Sequence, residues 1–465
     1  MVLKTERIQS LDILRGFAIL TMILSGVVPY RTLPAWMYHA QIPPPNRIFS
    51  PELAGITWVD LVFPLFIFCM GAAIPLALQK RVDRNENLGS ISWSIIQRTF
   101  FLGSFAILLH HLRPHQIESQ PSATTWVLAL CGFVLLFFAY ARWPQKWQGV
   151  WTMWLKSIGW IGLVIMVGLL SYKDDSRFSL YRSDIILLVL TNLYFFGSFI
   201  WYFTKQHKYS RFFIMGILLA FRVSHEMSPW SQNIWDFSPF PWLYKFSYLQ
   251  YLLILIPGLF AGEYLLKTSS KMSSLASSWK NQSILLALIC FVVLIVILTG
   301  LYNRWVWQSG LAAISILFIT YYFVYNSTWL HPLKPYFLFG IALIILGYLF
   351  EPFEGGIKKD PSTISYYFIT GGMSFIFLSA LLIIEHLIKN NWLMKLLSDN
   401  GKNPMIAYVG FANVIWPILA LTGLETIINN LTENPWIGFL RALVYTILLA
   451  MGVAYITRKR IYWKT

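Results

Sequence analysis

The chain of 465 residues is 57% hydrophobic and 17% aromatic, with only 12% charged residues and a mean hydropathy of +0.59. Soluble domains carry roughly 25% charged residues, so a soluble enzyme, a disordered scaffold and a secreted disulfide module are excluded. The net charge of +16 sits in short loops between apolar runs, with no basic face or nucleic-acid motif. It reads as topology, and nucleic acid is not an expected partner.

A spanning helix needs roughly 17–25 apolar residues. In chain order, such runs centre on 11–30, 58–79, 93–112, 125–141, 149–171, 185–204 and 211–224. They continue at 249–266, 283–302, 311–326, 335–350, 365–388, 404–423 and 437–457, with 211–224 and 311–326 the weakest. The runs are continuous rather than alternating, which excludes a barrel. The expected fold is an all-α polytopic transmembrane helix bundle of about 12–14 spans. The first run carries Asp12 and Arg15 and lacks a small-residue cleavage site, so it is retained as a helix. The Ser-rich stretch 268–283 separates an N-terminal half, 1–267, from a C-terminal half, 284–465, of one membrane domain. With the N-terminus inside, the inner loops hold about twice as many Lys and Arg as the outer ones. An even span count then makes both termini cytoplasmic, the Arg458-Lys459-Arg460 tail included. Cys69, Cys131 and Cys290 lie inside apolar runs and read as small buried hydrophobes rather than a disulfide framework.

Ionisable residues at membrane depth mark candidate sites. In the run Arg7 to Gly16, Asp12 and Arg15 share a helix face and can pair, and Ser10 can cap the helix entrance. Arg15 either anchors the span or meets a phosphate arriving from the cytoplasm. In the outer loop, Tyr38 and His39 precede three consecutive prolines, 43–45, which stiffen the segment as polyproline II. His39 has the pKa range of a general base, and Asp60, at the start of the second span, is placed to orient it. The same residues equally describe a surface histidine and a helix-start aspartate stabilised by the macrodipole.

His110, His111, Arg113 and His115 end the third span. Adjacent histidines diverge on a helix and no zinc-like spacing accompanies them. No metal is expected; an interfacial cluster facing an anionic acceptor fits better. Arg222, His225 and Glu226 lead into an aromatic loop with Asp236 that suits either a sugar site or an interfacial belt. Lys402, Asn403 and Pro404 open a later span, where Asn403 reads as an N-cap and Lys402 flanks an anion-binding helix start. Lys156, Glu263, Glu385-His386, Asn413 and Arg441 are scattered polar residues without evident partners. Phosphate-loop, dinucleotide, His-Glu-x-x-His and Gly-x-Ser-x-Gly patterns are absent.

The stretch Arg7 to Ala18, the Tyr38-His39 loop, Gly55 to Gly71, Gly401 to Gly410 and the tail Arg458 to Lys464 resemble the heparan-alpha-glucosaminide N-acetyltransferase family and its YeiB-like bacterial relatives. The segment Ile256 to Glu263 is a weaker anchor between them. The resemblance implies transfer of an acetyl group from cytoplasmic acetyl-CoA to a sugar or glycan acceptor across a bacterial inner membrane. It aligns His39 with the family's catalytic histidine, which follows the first conserved span. Gly26, next to Ser25, stands where the mammalian-type enzymes carry an asparagine. The expected assignments are His39 and Asp60 for catalysis and Arg15, Lys402 and Asn403 for acetyl-CoA. Tyr38, His111, His225 and Glu226 are expected to bind the acceptor. Expected partners are membrane lipid, the acceptor and, as an assembly to test, a second copy forming a homodimer. The alternative is a transporter or flippase of a sugar, lipid or small amphiphile without covalent chemistry.

Overall fold

The computed structural model describes residues 9–30, 33–268, 280–327, 329–388 and 391–463. Arg7, Ile8, Lys464 and most of the Ser-rich stretch named above lie outside the described residues. Helices dominate, as the continuous apolar runs require: α1 (Gln9–Val27), α2 (Trp58–Val82), α3 (Leu88–His111), α4 (Ala123–Tyr140) and α5 (Val150–Leu169) come first. They are followed by α6 (Ile185–Thr204), α7 (Ser210–Ser224), α8 (Leu252–Thr268), α9 (Lys280–Tyr302) and α10 (Val306–Asn326). The last are α11 (Lys334–Phe350), α12 (Ile364–Leu387), α13 (Trp392–Lys402), α14 (Pro404–Leu421, with a π turn over residues 411–415) and α15 (Pro435–Arg458). Among the described residues thirteen helices are long and apolar enough to cross a membrane, and the protein is an integral membrane protein.

The helix α7 has only 15 residues and falls below that length, yet its ends reach opposite faces. Near its start Arg211 Nη2 bonds Glu263 Oε1 at 2.7 Å, close to the end of α8. Near its end Arg222 Nη2 bonds the carbonyl of Ser362 at 3.2 Å, just before α12. With α7 counted, the described residues hold fourteen candidate crossings, and both ends of the described chain share one face. There the Glu385 carboxylate, at the end of α12, accepts from the backbone N–H of Gln9 and Ser10 and from the Ser10 hydroxyl. A carboxylate thus satisfies the orphan donors at the α1 start, and Ser10 donates to it instead of capping. On the same face β1 (Ala141–Arg142) pairs antiparallel with β2 (Tyr462–Trp463).

The core lies around α2, α8 and α12. Between 246 and 267, and again along α12, most side chains are buried, whereas α5 and α10 sit at the periphery. Close backbone approach makes this packing. A Cβ on Gly258 would meet the carbonyl of Phe68, and one on Gly262 the carbonyl of Ala72, the small-xxx-small geometry of membrane helix pairs. Likewise a Cβ on Gly401 would run into the Asp12 carbonyl, so α13 lies directly on α1.

Intramembrane polar residues without evident partners in the sequence acquire them across helices. Glu263 takes Arg211, Lys208 at 2.6 Å and the Trp201 indole at 3.0 Å. Asn413 donates to the Leu112 carbonyl, and Arg441 to Asn429 and Thr432. One cysteine expectation is corrected: Cys69 and Cys290 are buried, but Cys131 is exposed, because α4 is packed along only one side.

Candidate active site

The loop between α1 and α2 is held by its own polar groups. The Tyr38 hydroxyl donates to the Pro29 carbonyl at 2.6 Å and accepts from Leu33 N–H. Tyr30 donates to the Ile42 carbonyl, with the Arg47 guanidinium 3.4 Å above its ring. Buried Gln41 donates to the carbonyls of Leu53 and Gly55. Thr57 then caps α2, and Asp60 completes a capping box through the Thr57 N–H at 2.9 Å.

That box fixes Asp60 beside His39. Asp60 Oδ2 also accepts from Ala40 N–H at 3.2 Å, and Oδ1 lies 2.5 Å from His39 Nδ1. The latter contact is close but not aligned as a hydrogen bond, and it is an ion pair when the imidazole is protonated. On the other side of the ring, His39 Nε2 lies 2.9 Å from Asp360 Oδ2. Lys359 Nζ stands 3.8 Å from Asp60 Oδ1. The Asp60 side chain is fully buried, that of His39 is 15% exposed, and that of Asp360 is 48% exposed. One nitrogen of the imidazole therefore faces the interior and the other faces the loop surface.

The electrostatics follow from this sandwich. Burial would lower the His39 pKa, but the hydrogen bond to Asp360 and the close, charged Asp60 carboxylate outweigh it and lift the pKa above 6.5. Burial would raise the Asp360 pKa, yet His39 and Lys359 hold the carboxyl below 3.8. Asp360 is absent from the sequence reading. Nothing local in the chain ties it to a histidine 321 positions away. Docking of the two loops brings it in, through Gly55 N–H to the Ile357 carbonyl at 2.8 Å and the Tyr366 hydroxyl to the Asp60 carbonyl at 2.7 Å.

A cavity of about 490 Å³ opens on the opposite face, lined by Arg15, Arg81, Arg98 and Lys402 with Gln97 and Tyr194. No acidic side chain lines it among the described residues. Arg15 Nη2 bonds Asp12 Oδ1 at 3.1 Å, and Lys402 Nζ bonds Asp399 at 3.2 Å, each from outside the cavity wall. The deep end is apolar and includes Phe66, six residues beyond Asp60 on α2, or about 9 Å of helix rise.

The remaining expectations are redistributed. Asn403 does not line the cavity and its side chain caps nothing. Its amide instead donates to the Ile461 carbonyl at 2.9 Å and accepts from Trp463 N–H at 3.1 Å, because the tail folds back onto α14 to pair with β1. Tyr38 is buried with its hydroxyl used inside the loop, so it presents nothing to an acceptor. His111 is also fully buried: Nδ1 donates to the Ile107 carbonyl, Nε2 accepts from Ser179 N–H, and the ring stacks on Phe178. It locks the 172–184 loop. His225 Nδ1 donates to the Arg222 carbonyl and its ring packs against Trp235; Glu226 is 83% exposed. Neither touches His39, although Arg222 ties this corner to Ser362, two residues from Asp360.

The sequence profile of a domain of unknown function (DUF5009) matches residues 7–265, more than half of the chain. The chain belongs to the DUF5009 family. The DUF5009 match spans α1, the His39 loop, Asp60 and the cavity wall through α3 and α6, while Asp360 and Lys402 lie beyond it. No curated protein matches the chain.

Proposed function

We propose that the protein is a membrane-embedded acyltransferase. It moves an acetyl group from acetyl-CoA on the face carrying the termini to a sugar or glycan acceptor on the loop face. The observation that carries this reading is the His39 sandwich, whose outer edge faces half-exposed Asp360 and whose buried edge is fixed by Asp60. A histidine so oriented has the arrangement of a general base. The resemblance of the His39 and Gly401 segments to the heparan-alpha-glucosaminide N-acetyltransferase family supports the same reading. So does the excess of Lys and Arg on the termini face, which makes that face cytoplasmic.

The cavity chemistry fits the donor. Four cations without an acidic wall suit phosphates, and the apolar end around Phe66 suits a pantetheine arm. When bound, acetyl-CoA supplies a thioester whose carbonyl carbon is attacked as the C–S bond breaks. Asp60 holds the imidazole with Nε2 toward the acceptor. For His39 to act, Asp360 yields its position at Nε2 to the acceptor hydroxyl or amine. His39 then takes the acceptor proton as the new bond to the acetyl carbon forms, and the proton leaves with the thiol. Asp360, more exposed than its partner, hydrogen-bonds a second hydroxyl of the sugar once displaced.

The test is release of free CoA by detergent-purified protein over a panel of amino sugars and glycans, wild type against His39→Ala. Acceptor-dependent release by the wild type alone is expected. If folded wild type neither binds nor consumes acetyl-CoA with any acceptor, the reading falls and movement of unmodified substrate becomes the one to pursue.

A further inference from the structure

Lys156 has no role in the chemistry above. It lies six residues into α5, about 9 Å of rise below the helix start, and is exposed. A cation at that depth on a peripheral helix is costly unless it reaches a polar group. It lines a second cavity of about 770 Å³ between α3, α4 and α5, together with Arg142, Gln97, Gln148, Trp143 and Trp160. No acidic residue lines this cavity, and neither Arg142 nor Lys156 has an ion-pair partner, among the described residues. The indole Nε1 of Trp143 is buried and finds no acceptor there either.

The flanks of this cavity identify what enters it. Trp93, Ile96 and Phe100 on α3 and Trp154, Ile158 and Ile161 on α5 are all exposed. In an integral membrane protein such surfaces face acyl chains. The groove is therefore cationic and hydrogen-bonding at its head and bordered by lipid-facing apolar rows on both sides. A water-borne anion would use the head alone, whereas a phospholipid uses both parts.

We infer that this groove binds an acidic phospholipid in the leaflet at the termini face. Arg142 and Lys156 hold the phosphate-bearing headgroup, Trp143 donates to it, and the acyl chains lie against α3 and α5. Gln97 and Phe101 line both this groove and the four-cation cavity, so the bound lipid completes a shared wall.

The experiment is native mass spectrometry of the full-length protein from micelles containing equal phosphatidylglycerol and phosphatidylcholine. Wild type is expected to retain phosphatidylglycerol by about twenty-fivefold over phosphatidylcholine, since each of the two cations near an acidic headgroup contributes on the order of fivefold. The double variant Arg142→Gln, Lys156→Gln is expected to lose the preference. Lys205→Gln, a cation at the same face that sits over Tyr202, keeps it, and so does Lys156→Arg. Glycerol 1-phosphate in excess leaves the retained lipid in place. Equal retention of the two lipids by wild type, or an unchanged preference in the double variant, overturns the assignment. Displacement by glycerol phosphate also overturns it, and gives the groove to a soluble phosphate.

Discussion

On the loop face a single imidazole is clamped between carboxylates drawn from residues 60 and 360, and every charge has a close partner. On the termini face four cations ring a cavity whose acids stand outside its wall. Both use buried or half-buried charge, but the first arrangement tunes one proton while the second leaves positive potential for an incoming anion. The contrast teaches that charge count alone does not assign a role. What matters is whether the partners are inside the site or behind it.

Removing the imidazole breaks the loop-face half outright. His39→Ala is expected to lower acceptor-dependent CoA release about a thousandfold, with the thermal transition reporting an intact fold. Asp60→Asn is expected to cost roughly a hundredfold in kcat with little change in the donor KM. An unchanged rate in a stable variant would remove Asp60 from the mechanism. On the other face, Arg15→Gln combined with Lys402→Gln should raise the acetyl-CoA KM about tenfold, because charge-assisted hydrogen bonds to phosphate are lost. A normal KM would detach the cavity from the donor.

The pH profile sharpens the comparison with a smaller effect. The imidazole is charged below its raised pKa and serves as a base only above it. The acid limb of kcat/KM therefore lies above pH 6.5. Asp360→Asn takes away one raising interaction and is expected to move that limb to lower pH. The stability contribution of the charged His39 is full below 6.5 and is lost as pH rises through the folded value. For Asp360 the order reverses: its contribution is full above 3.8 and is lost as pH falls through the lowered value. Least of all, Glu226→Gln, exposed and apart from the clamp, is expected to leave the acceptor KM within about twofold of wild type.

The bundle was legible because each span announces itself as a run of apolar residues; α7 gives one of the two weakest runs, 211–224, and contacts at its two ends place those ends on opposite faces. His39 and Asp60 were legible as a pair because a helix-start aspartate and a nearby loop histidine are close along the chain. Asp360 was not, since a contact across 321 positions leaves no local pattern. Asn403 shows the opposite failure. Its position before Pro404 is that of a cap, but a backbone strand passing nearby offered its amide better-matched donors and acceptors. His111 was read by residue type, and burial decided otherwise.

The two-residue ladder between Ala141–Arg142 and Tyr462–Trp463 bears on the order of biosynthesis. Trp463 is part of the wall of the four-cation cavity, yet it leaves the ribosome only after more than three hundred further residues have followed Arg142. Ten further helices must insert before that wall can close. During translation the cavity wall accordingly stays incomplete until residues 462–463 are made and pair with 141–142.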